Sequence, residues 1–252
     1  MIDYKNANEI KIMQHGGHIL AEVLGIVMSE IKPGVSEIEI DQLAEKLIRE
    51  RGGEPGFQKV PGYKHTICVS TNDVVVHGIP SSYRFKPGDV VGIDCGVFYD
   101  GFHTDMSDSV IVPGGKSLDE VEKFLRVGKQ ALEAGIKAAV AGNRIGHISK
   151  AIQDITEVNG GYSIVRSLIG HGVGRELHEE PEVPGYLARP LLRTPLLKPG
   201  MTIAVEVIYN MGEPGVILDN DGWTIRTEDG SLAGLYERTI AITDKNPLML
   251  TA

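Results

Sequence analysis

Apolar residues recur at steps of three and four from early in the chain, at Ile10, Met13, Gly17, Leu20, Leu24, Val27 and Ile31. That spacing gathers them on one face of a helix. Asn6 with Glu9 three residues on has the form of a capping box, and Lys32-Pro33-Gly34 is a stop signal. A second box, Ser36 with Glu39, opens a helix with Ile40, Leu43, Leu47 and Ile48 on one face, ending at Gly52-Gly53. His15 and His18 ride on the first helix, where a solvated face is expected.

Beyond Gly53 the period changes from helix to strand. Segments 66–70, 74–76, 89–93, 97–99 and 109–112 are short and rich in β-branched residues, with turns at Asn72-Asp73, Lys86-Pro87-Gly88 and Asp100-Gly101. The pattern predicts a sheet built largely from hairpins. A third helix opens at Ser117 with Glu120, buries Val121, Leu125, Gly128, Leu132, Ile136 and Ala139, and closes at Gly142. A fourth carries the stripe Ile145, Ile148, Ile152, Ile155 and Val158 and ends at Asn159-Gly160-Gly161.

The order helix, helix, strands thus occurs twice. Gly52-Gly53 recurs as Gly160-Gly161, 108 positions on, and Lys86-Pro87-Gly88 as Lys198-Pro199-Gly200, 112 positions on. Eight residues after each of those lysines a carboxylate interrupts an apolar strand: Asp94 after Val90-Val91-Gly92-Ile93, and Glu206 after Ile203-Ala204-Val205. The near-equal offsets imply an internal duplication of one α+β domain spanning residues 1–252, with halves at roughly 6–115 and 116–245 whose sheets join.

Composition narrows what such a domain does. With 34 acidic against 25 basic side chains, a net charge of −9 and no run of five Lys or Arg, nucleic acid is not expected as a main partner. Cys68 and Cys95 are the only cysteines, too few for a disulfide scaffold or a Cys-rich zinc site, and they fit a reducing compartment. The N-terminus lacks a basic region followed by an apolar stretch. No apolar run approaches the roughly 18 residues of a membrane span. A soluble cytoplasmic protein is expected.

The candidate chemistry centres on Gly170-His171-Gly172-Val173-Gly174-Arg175-Glu176-Leu177-His178-Glu179-Glu180-Pro181. Its glycines let a ligand approach the backbone, and neutral imidazole is the commonest protein ligand for a transition metal. An ionised carboxylate in an apolar strand is costly unless paired or bound to metal, so Asp94 and Glu206 require a cation. Asp105 can return to Asp94 across the Asp100-Gly101 turn, and Glu237 is another acid in a β-branched strand. With His171 they make four carboxylates and one imidazole, a combined −4 that suits two divalent ions. Oxygen-rich ligation with one nitrogen and no thiolate favours Mn, Fe, Co or Zn over copper.

His77-Gly78-Ile79-Pro80, Gly92-Ile93-Asp94, Gly101-Phe102-His103-Thr104-Asp105, Gly170-His171-Gly172-Val173-Gly174, His178-Glu179-Glu180-Pro181, Glu206 and Glu237 together resemble the signature positions of the type I methionine aminopeptidases. The match runs in order over nearly the whole chain. It implies the pita-bread (creatinase/aminopeptidase) fold, pseudo-twofold and α+β. The 35 positions from His171 to Glu206 leave no room for the helical insertion of the type II enzymes.

By that resemblance Asp94 would chelate a first metal, His171 and Glu206 a second, and Asp105 and Glu237 would bridge the two. The ions (Co, Mn, Fe or Zn) would acidify a water and stabilise the oxyanion of peptide attack. Glu206 would also act as general base, His178 would bind the substrate carbonyl region, and His77 would contact the scissile amide. Tyr63, Cys68 and Trp223, with Phe57 as a weaker candidate, resemble the lining of a methionine side-chain pocket. The implied substrates are nascent peptides or protein N-termini beginning with Met, cleaved when the second residue is small. Ribosome association is compatible with this, and a monomer with no nucleic-acid site and no membrane contact is expected.

Three departures from the family pattern bear on pocket shape and metal tuning: Val207 where proline is common, Leu177 where phenylalanine is common, and Arg238 where histidine is common. Competing readings are a proline-specific aminopeptidase or prolidase of the same fold, a non-catalytic pita-bread binding protein, and a nucleotide-binding protein. The last rests on Gly170-x-Gly172-x-Gly174, which lacks the spacing of a dinucleotide or phosphate loop. Cys68 as a nucleophile is a further rival, for which no partner residues can be named.

Overall fold

Both N-terminal capping boxes form. The Asn6 side chain accepts from the N–H groups of Asn8 and Glu9 while Glu9 accepts from Asn6 N–H, opening α1 (Ala7–Ser29). Ser36 and Glu39 do the same for α2 (Glu37–Glu50). Each cap contributes about 1 kcal/mol by satisfying donors the helix leaves free. His15 and His18 are exposed. The computed structural model describes residues 1–115 and 119–252, so the expected cap at Ser117 lies outside the described residues. α3 (Asp119–Ala138) and α4 (Ile145–Gln153) follow.

The fourth helical stripe departs from expectation at its end. Residues Asp154–Asn159 form a π-turn, which widens the helix and turns the later side chains away from the core. Thr156 is buried, Ile155 is half-buried, and Val158 is 74% exposed instead of completing the buried face.

The strands of the first half are β1 (Glu54–Pro55), β2 (Ile67–Thr71), β3 (Val74–Val76), β4 (Val90–Tyr99) and β5 (Phe102–Ile111). Those of the second are β6 (Ser163–Ile164), β7 (Gly170–Gly172), β8 (Glu179–Val183), β9 (Thr202–Asn210), β10 (Val216–Leu218), β11 (Ile225–Thr227), β12 (Ala233–Ala241) and β13 (Leu248–Met249). Among the described residues, ten strands form one antiparallel sheet in the order β1-β4-β5-β12-β9-β7-β8, with β2 on β4, β6 on β9 and β13 on β12. The order β10-β11-β3 makes a smaller sheet.

One expectation is corrected here. Segments 89–93 and 97–99 are parts of one long strand, and its hairpin partner begins at Phe102, well before residue 109. The polar run His103-Thr104-Asp105 hides that strand from a reading based on β-branched residues. Gly170-His171-Gly172 is likewise a strand, though poor in β-formers, because its neighbours β8 and β9 supply the pairing.

Strand alternation sorts the sheet into two faces. Val91, Ile93, Cys95 and Val97 of β4 pack with Leu20, Leu24, Ile40 and Ile48 of α1 and α2. Ile203, Val205 and Val207 of β9 and Tyr236 and Ile240 of β12 pack with Phe124, Leu132, Ile148 and Ile152 of α3 and α4. Both helix pairs therefore cover the same face, and the intervening residues Asp94, Asp105, Ser107, Glu206 and Glu237 point away from it.

The two Lys-Pro-Gly turns are built alike. Gly88 (φ 92°) donates to Val112 O at 3.0 Å, and Gly200 (φ 91°) donates to Ile242 O at 3.0 Å. Val112 N–H returns to Asp89 O and Ile242 N–H to Met201 O, each at 2.8 Å. Gly34 donates to Phe85 O as Gly142 donates to Leu197 O. Among the described residues no helix is long and apolar enough to cross a membrane.

Candidate metal centre and its cavity

Register carries the candidate acids to one place. Cys68 of β2 is paired with Asp94 of β4, Asp94 with Ser107 of β5, Ser107 with Glu237 of β12, and Glu237 with Glu206 of β9. Directly paired residues project to the same face, so a single row crosses five strands at one level. Asp105, two positions from Ser107, stands on the same face. On β7, His171 is paired with Ala204, two residues from Glu206. Donor atoms of Asp105, His171 and Glu237 all lie within 4.8 Å of one another. His171 Nε2 is 4.0 Å from both Glu206 Oε1 and Glu237 Oε1.

The side-chain environment makes this cluster unstable unless something positive enters it. Asp105 and Glu237 are buried, and Asp94 and Glu206 are nearly so. Burial pushes Asp94 up to about 7; burial, and then the charge of Asp94, push Glu206 up to about 8. The same desolvation, with the neighbouring acids, raises Asp105 and Glu237 well above the usual carboxylate range. Asp94 Oδ1 and Glu237 Oε1 are buried with no hydrogen-bond partner among the described residues. Burial, aided by His178, holds His171 down to about 4, so its ring is neutral at pH 7. His171 Nδ1–H donates to Gly172 O at 2.8 Å, which leaves the Nε2 lone pair facing the acids. Orphaned carboxylate oxygens and one correctly oriented imidazole nitrogen are the donor set of a hard-to-borderline divalent cation.

A cavity of about 320 Å³ opens onto this row. One end is acidic, lined by Asp94, Asp105, His171, Glu206 and Glu237. The other is apolar, where Phe57, Tyr63, Cys68 and Leu177 form a cluster joined by Val60, Ile79 and Trp223. The Tyr63 ring lies 5.1 Å from Trp223 and 6.5 Å from Phe57, and its hydroxyl donates to Ile67 O at 2.7 Å. Cys68 is fully buried and its thiol is raised well above its ordinary value by desolvation and by Asp94, which suits an apolar lining and not a nucleophile.

His77 and His178 both line the cavity. His77 adopts a left-handed backbone (φ 56°), which a non-glycine residue holds only where its surroundings enforce it. Gly78 follows because any Cβ there would collide with Val69 O, which itself lies across the strand. Burial and then His178 lower the His77 pKa, so this ring is neutral at pH 7. The His178 ring packs edge-on against His171 with centroids 4.4 Å apart.

All eleven candidate residues of the sequence, the weaker Phe57 included, thus line a single cavity. Sequence reasoning missed Val60, Val76, Leu168, Ile169, Ile208 and Leu235 of its walls. Leu168 and Ile169 directly precede Gly170, and their apolarity beside a glycine-rich site was the available signal. Of the departures from the family pattern, Leu177 lines the apolar end and Val207 lies in the helix-side core. Arg238 bonds Asp108 at 2.8 Å and, at Glu237, counteracts the upward shift.

Comparison with known proteins gives this cavity its context. Residues 11–242 match the model of Metallopeptidase family M24. A methionine aminopeptidase of Clostridium perfringens is 43% identical over 251 residues, covering 100% of this chain and 99% of that protein. The crystal structure of a methionine aminopeptidase from Thermotoga maritima superposes with a TM-score of 0.95 at 36% identity, covering 100% of this chain and 99% of that one. A prolidase from Pyrococcus furiosus superposes with a TM-score of 0.77 at 25% identity, covering 99% of this chain but 65% of the prolidase.

Proposed function

The chain belongs to metallopeptidase family M24 and, within it, to the methionine aminopeptidases, and from that premise we propose that Asp94, Asp105, His171, Glu206 and Glu237 hold two divalent ions. It is a metal-dependent aminopeptidase that hydrolyses an N-terminal methionine from a polypeptide whose second residue is small. Asp94 would help hold one ion, His171 and Glu206 the other, and Asp105 and Glu237 would serve both. When bound, such cations bring the pKa of water toward about 7 and stabilise charge developing on a carbonyl oxygen.

The chain's own residues do the rest. The methionine side chain enters the apolar end between Tyr63, Cys68 and Trp223, where a polarisable thioether meets aromatic and sulfur surfaces and water is displaced. That places the scissile carbonyl over the acidic row. Glu206 accepts the proton of the attacking water. His178, at the rim beside His171, donates to the carbonyl oxygen as it gains charge. Neutral His77 hydrogen-bonds the scissile amide, and the proton that Glu206 took from the water passes to the leaving amine.

The observation that carries this reading is the convergence of four buried carboxylates with His171 Nε2, two of their oxygens left without partners. The deciding experiment is hydrolysis of a Met-Ala-Ser peptide by metal-stripped protein, with Mn, Fe, Co or Zn added back and ions counted per chain. Activity after exhaustive chelation, or saturation at one ion, would refute the two-ion site. Prolidase action is disfavoured because the likeness to a prolidase is 25% identity at a TM-score of 0.77, against 36% at 0.95 for a methionine aminopeptidase. The alike Lys-Pro-Gly turns support reading residues 6–115 and 116–245 as duplicated halves that contribute Asp94 and Glu206 from equivalent strands. Unpaired Cys68 and Cys95 accord with a reducing compartment such as the cytoplasm, where the proposed substrates are nascent chains beginning with Met and the proposed working form is a monomer.

A further inference from the structure

Lys5 is 4% exposed, although lysine is among the residues least often buried. Its ammonium bonds Glu179 Oε2 and lies 3.2 Å from Asp3. Its backbone N–H donates to Gly200 O at 2.8 Å, so the segment is fastened before α1 begins. Glu179 is the residue after His178 and the first of β8. While Oε2 receives Lys5, Oε1 accepts Glu176 N–H at 3.2 Å, closing the turn that carries His178. Gly174 lies so close under the lysine stem that a Cβ there would collide with it. Its carbonyl accepts His103 N–H at 2.7 Å, and Arg175 bonds Glu9 and lies 4.9 Å over the Phe102 ring. The turn between the candidate ligand His171 and His178 is therefore gripped from the N-terminal segment and from β5.

We infer that Lys5 is a positioning residue for His178: paired with Glu179, it fixes the turn 174–179 so that the His178 ring is held at the cavity rim against His171. Lys5 does not line the cavity. The inference rests on the role proposed for His178, and it explains why a charged pair is buried here, where an apolar pair of the same shape would be at least as stable.

The test uses full-length protein loaded with Mn and a Met-Ala-Ser peptide, reading kcat, KM and metal content for Lys5→Met, Glu179→Gln and the double variant. Lys5→Met is expected to lower kcat about ten- to a hundredfold, the scale of a small misplacement near the chemistry, with KM and metal content unchanged. Each single variant breaks the Lys5–Glu179 pair, leaving Glu179 unpaired or Lys5 with only the exposed Asp3, and should melt lower than the parent. The double variant removes both charges and should regain most of the melting temperature while kcat stays low. If kcat recovers with the melting temperature, or metal is lost in step with kcat, the pair is structural only and the inference is overturned. In a His178→Ala background, Lys5→Met should change kcat by no more than about twofold, since coupled residues are not additive. A further full tenfold loss there would overturn the inference while leaving the role of His178 intact. A fully active His178→Ala would instead refute that role, and the inference with it.

Discussion

Glu206 and Glu237 stand directly opposite each other on the antiparallel pair β9–β12, both directed into the cavity. Like charges so placed destabilise a sheet, and here Asp94 and Asp105 add to them. The pair is tolerable when a cation lies between the carboxylates or when protons neutralise them.

The metal-free protein should therefore lose stability as pH rises. Burial raises Asp94 from 3.8 to about 7 and Glu206 from 4.5 to about 8. Between those limits the native state holds more protons than the unfolded chain, so stability present at low pH disappears on the way to about 8. His171 and His103, each lowered from 6.5 to about 4, and His77 and His178, also lowered, oppose this below about pH 6.5, where the unfolded chain still protonates its histidines. Melting of chelated protein between about pH 6.5 and pH 8 should show a steady fall that saturating Mn abolishes. A metal-free melting temperature that climbs across that range would contradict the assigned environment.

Ligation and proton transfer can be separated by substitution. His178→Ala should retain the parent metal content and lose about two to three orders of magnitude in kcat, the scale of one lost transition-state donor. Glu237→Gln and Asp105→Asn should lose metal and activity together. Elemental analysis beside steady-state kinetics reads both, and loss of metal on changing His178 would reverse the assignment.

Cys68 offers a check on the alternative chemistry. As a buried protonated thiol in the apolar wall, it is replaceable: Cys68→Ala should keep kcat within about threefold and raise KM, because only a side-chain contact is lost. Complete inactivation with metal retained would reopen the nucleophile reading.

Specificity at the second residue should be steep. With the methionine side chain in the apolar end and the carbonyl above the acids, the next side chain meets the cavity wall near His77 and His178. Peptides beginning Met-Ala, Met-Gly or Met-Ser should be cleaved far faster than Met-Ile or Met-Lys, by more than the roughly 10–200-fold that a methylene contact gives. The β-branched side chain of Ile has little freedom to avoid that wall. Steady-state rates on a peptide series varied only at the second residue read this, and equal rates for Met-Ala and Met-Ile peptides would defeat the idea.

Local signals made much of this molecule legible. The boxes at Asn6–Glu9 and Ser36–Glu39 involve residues three apart, and both formed. The acids could be singled out because Asp94, Glu206 and Glu237 interrupt β-branched runs, where an unpaired charge has no ordinary explanation. The start of β5 and all of β7 escaped, since His103-Thr104-Asp105 and Gly170-His171-Gly172 are chosen for their chemistry and have weak strand propensity. Val158 was misplaced because a π-turn changes helical phase without any breaker residue in the sequence.

By itself the sequence determined the helix pairs, the repeated Lys-Pro-Gly turns, the family resemblance and the donor types, because each is written in short-range pattern or residue identity. Only the tertiary structure decided that Cys68, Asp94, Ser107, Glu237 and Glu206 share one level of the sheet and that Leu168 and Ile169 complete the cavity wall. It alone brought Lys5 beneath the turn of His178. Register between distant strands is fixed by which faces the helices bury, and that packing brings together residues more than a hundred positions apart.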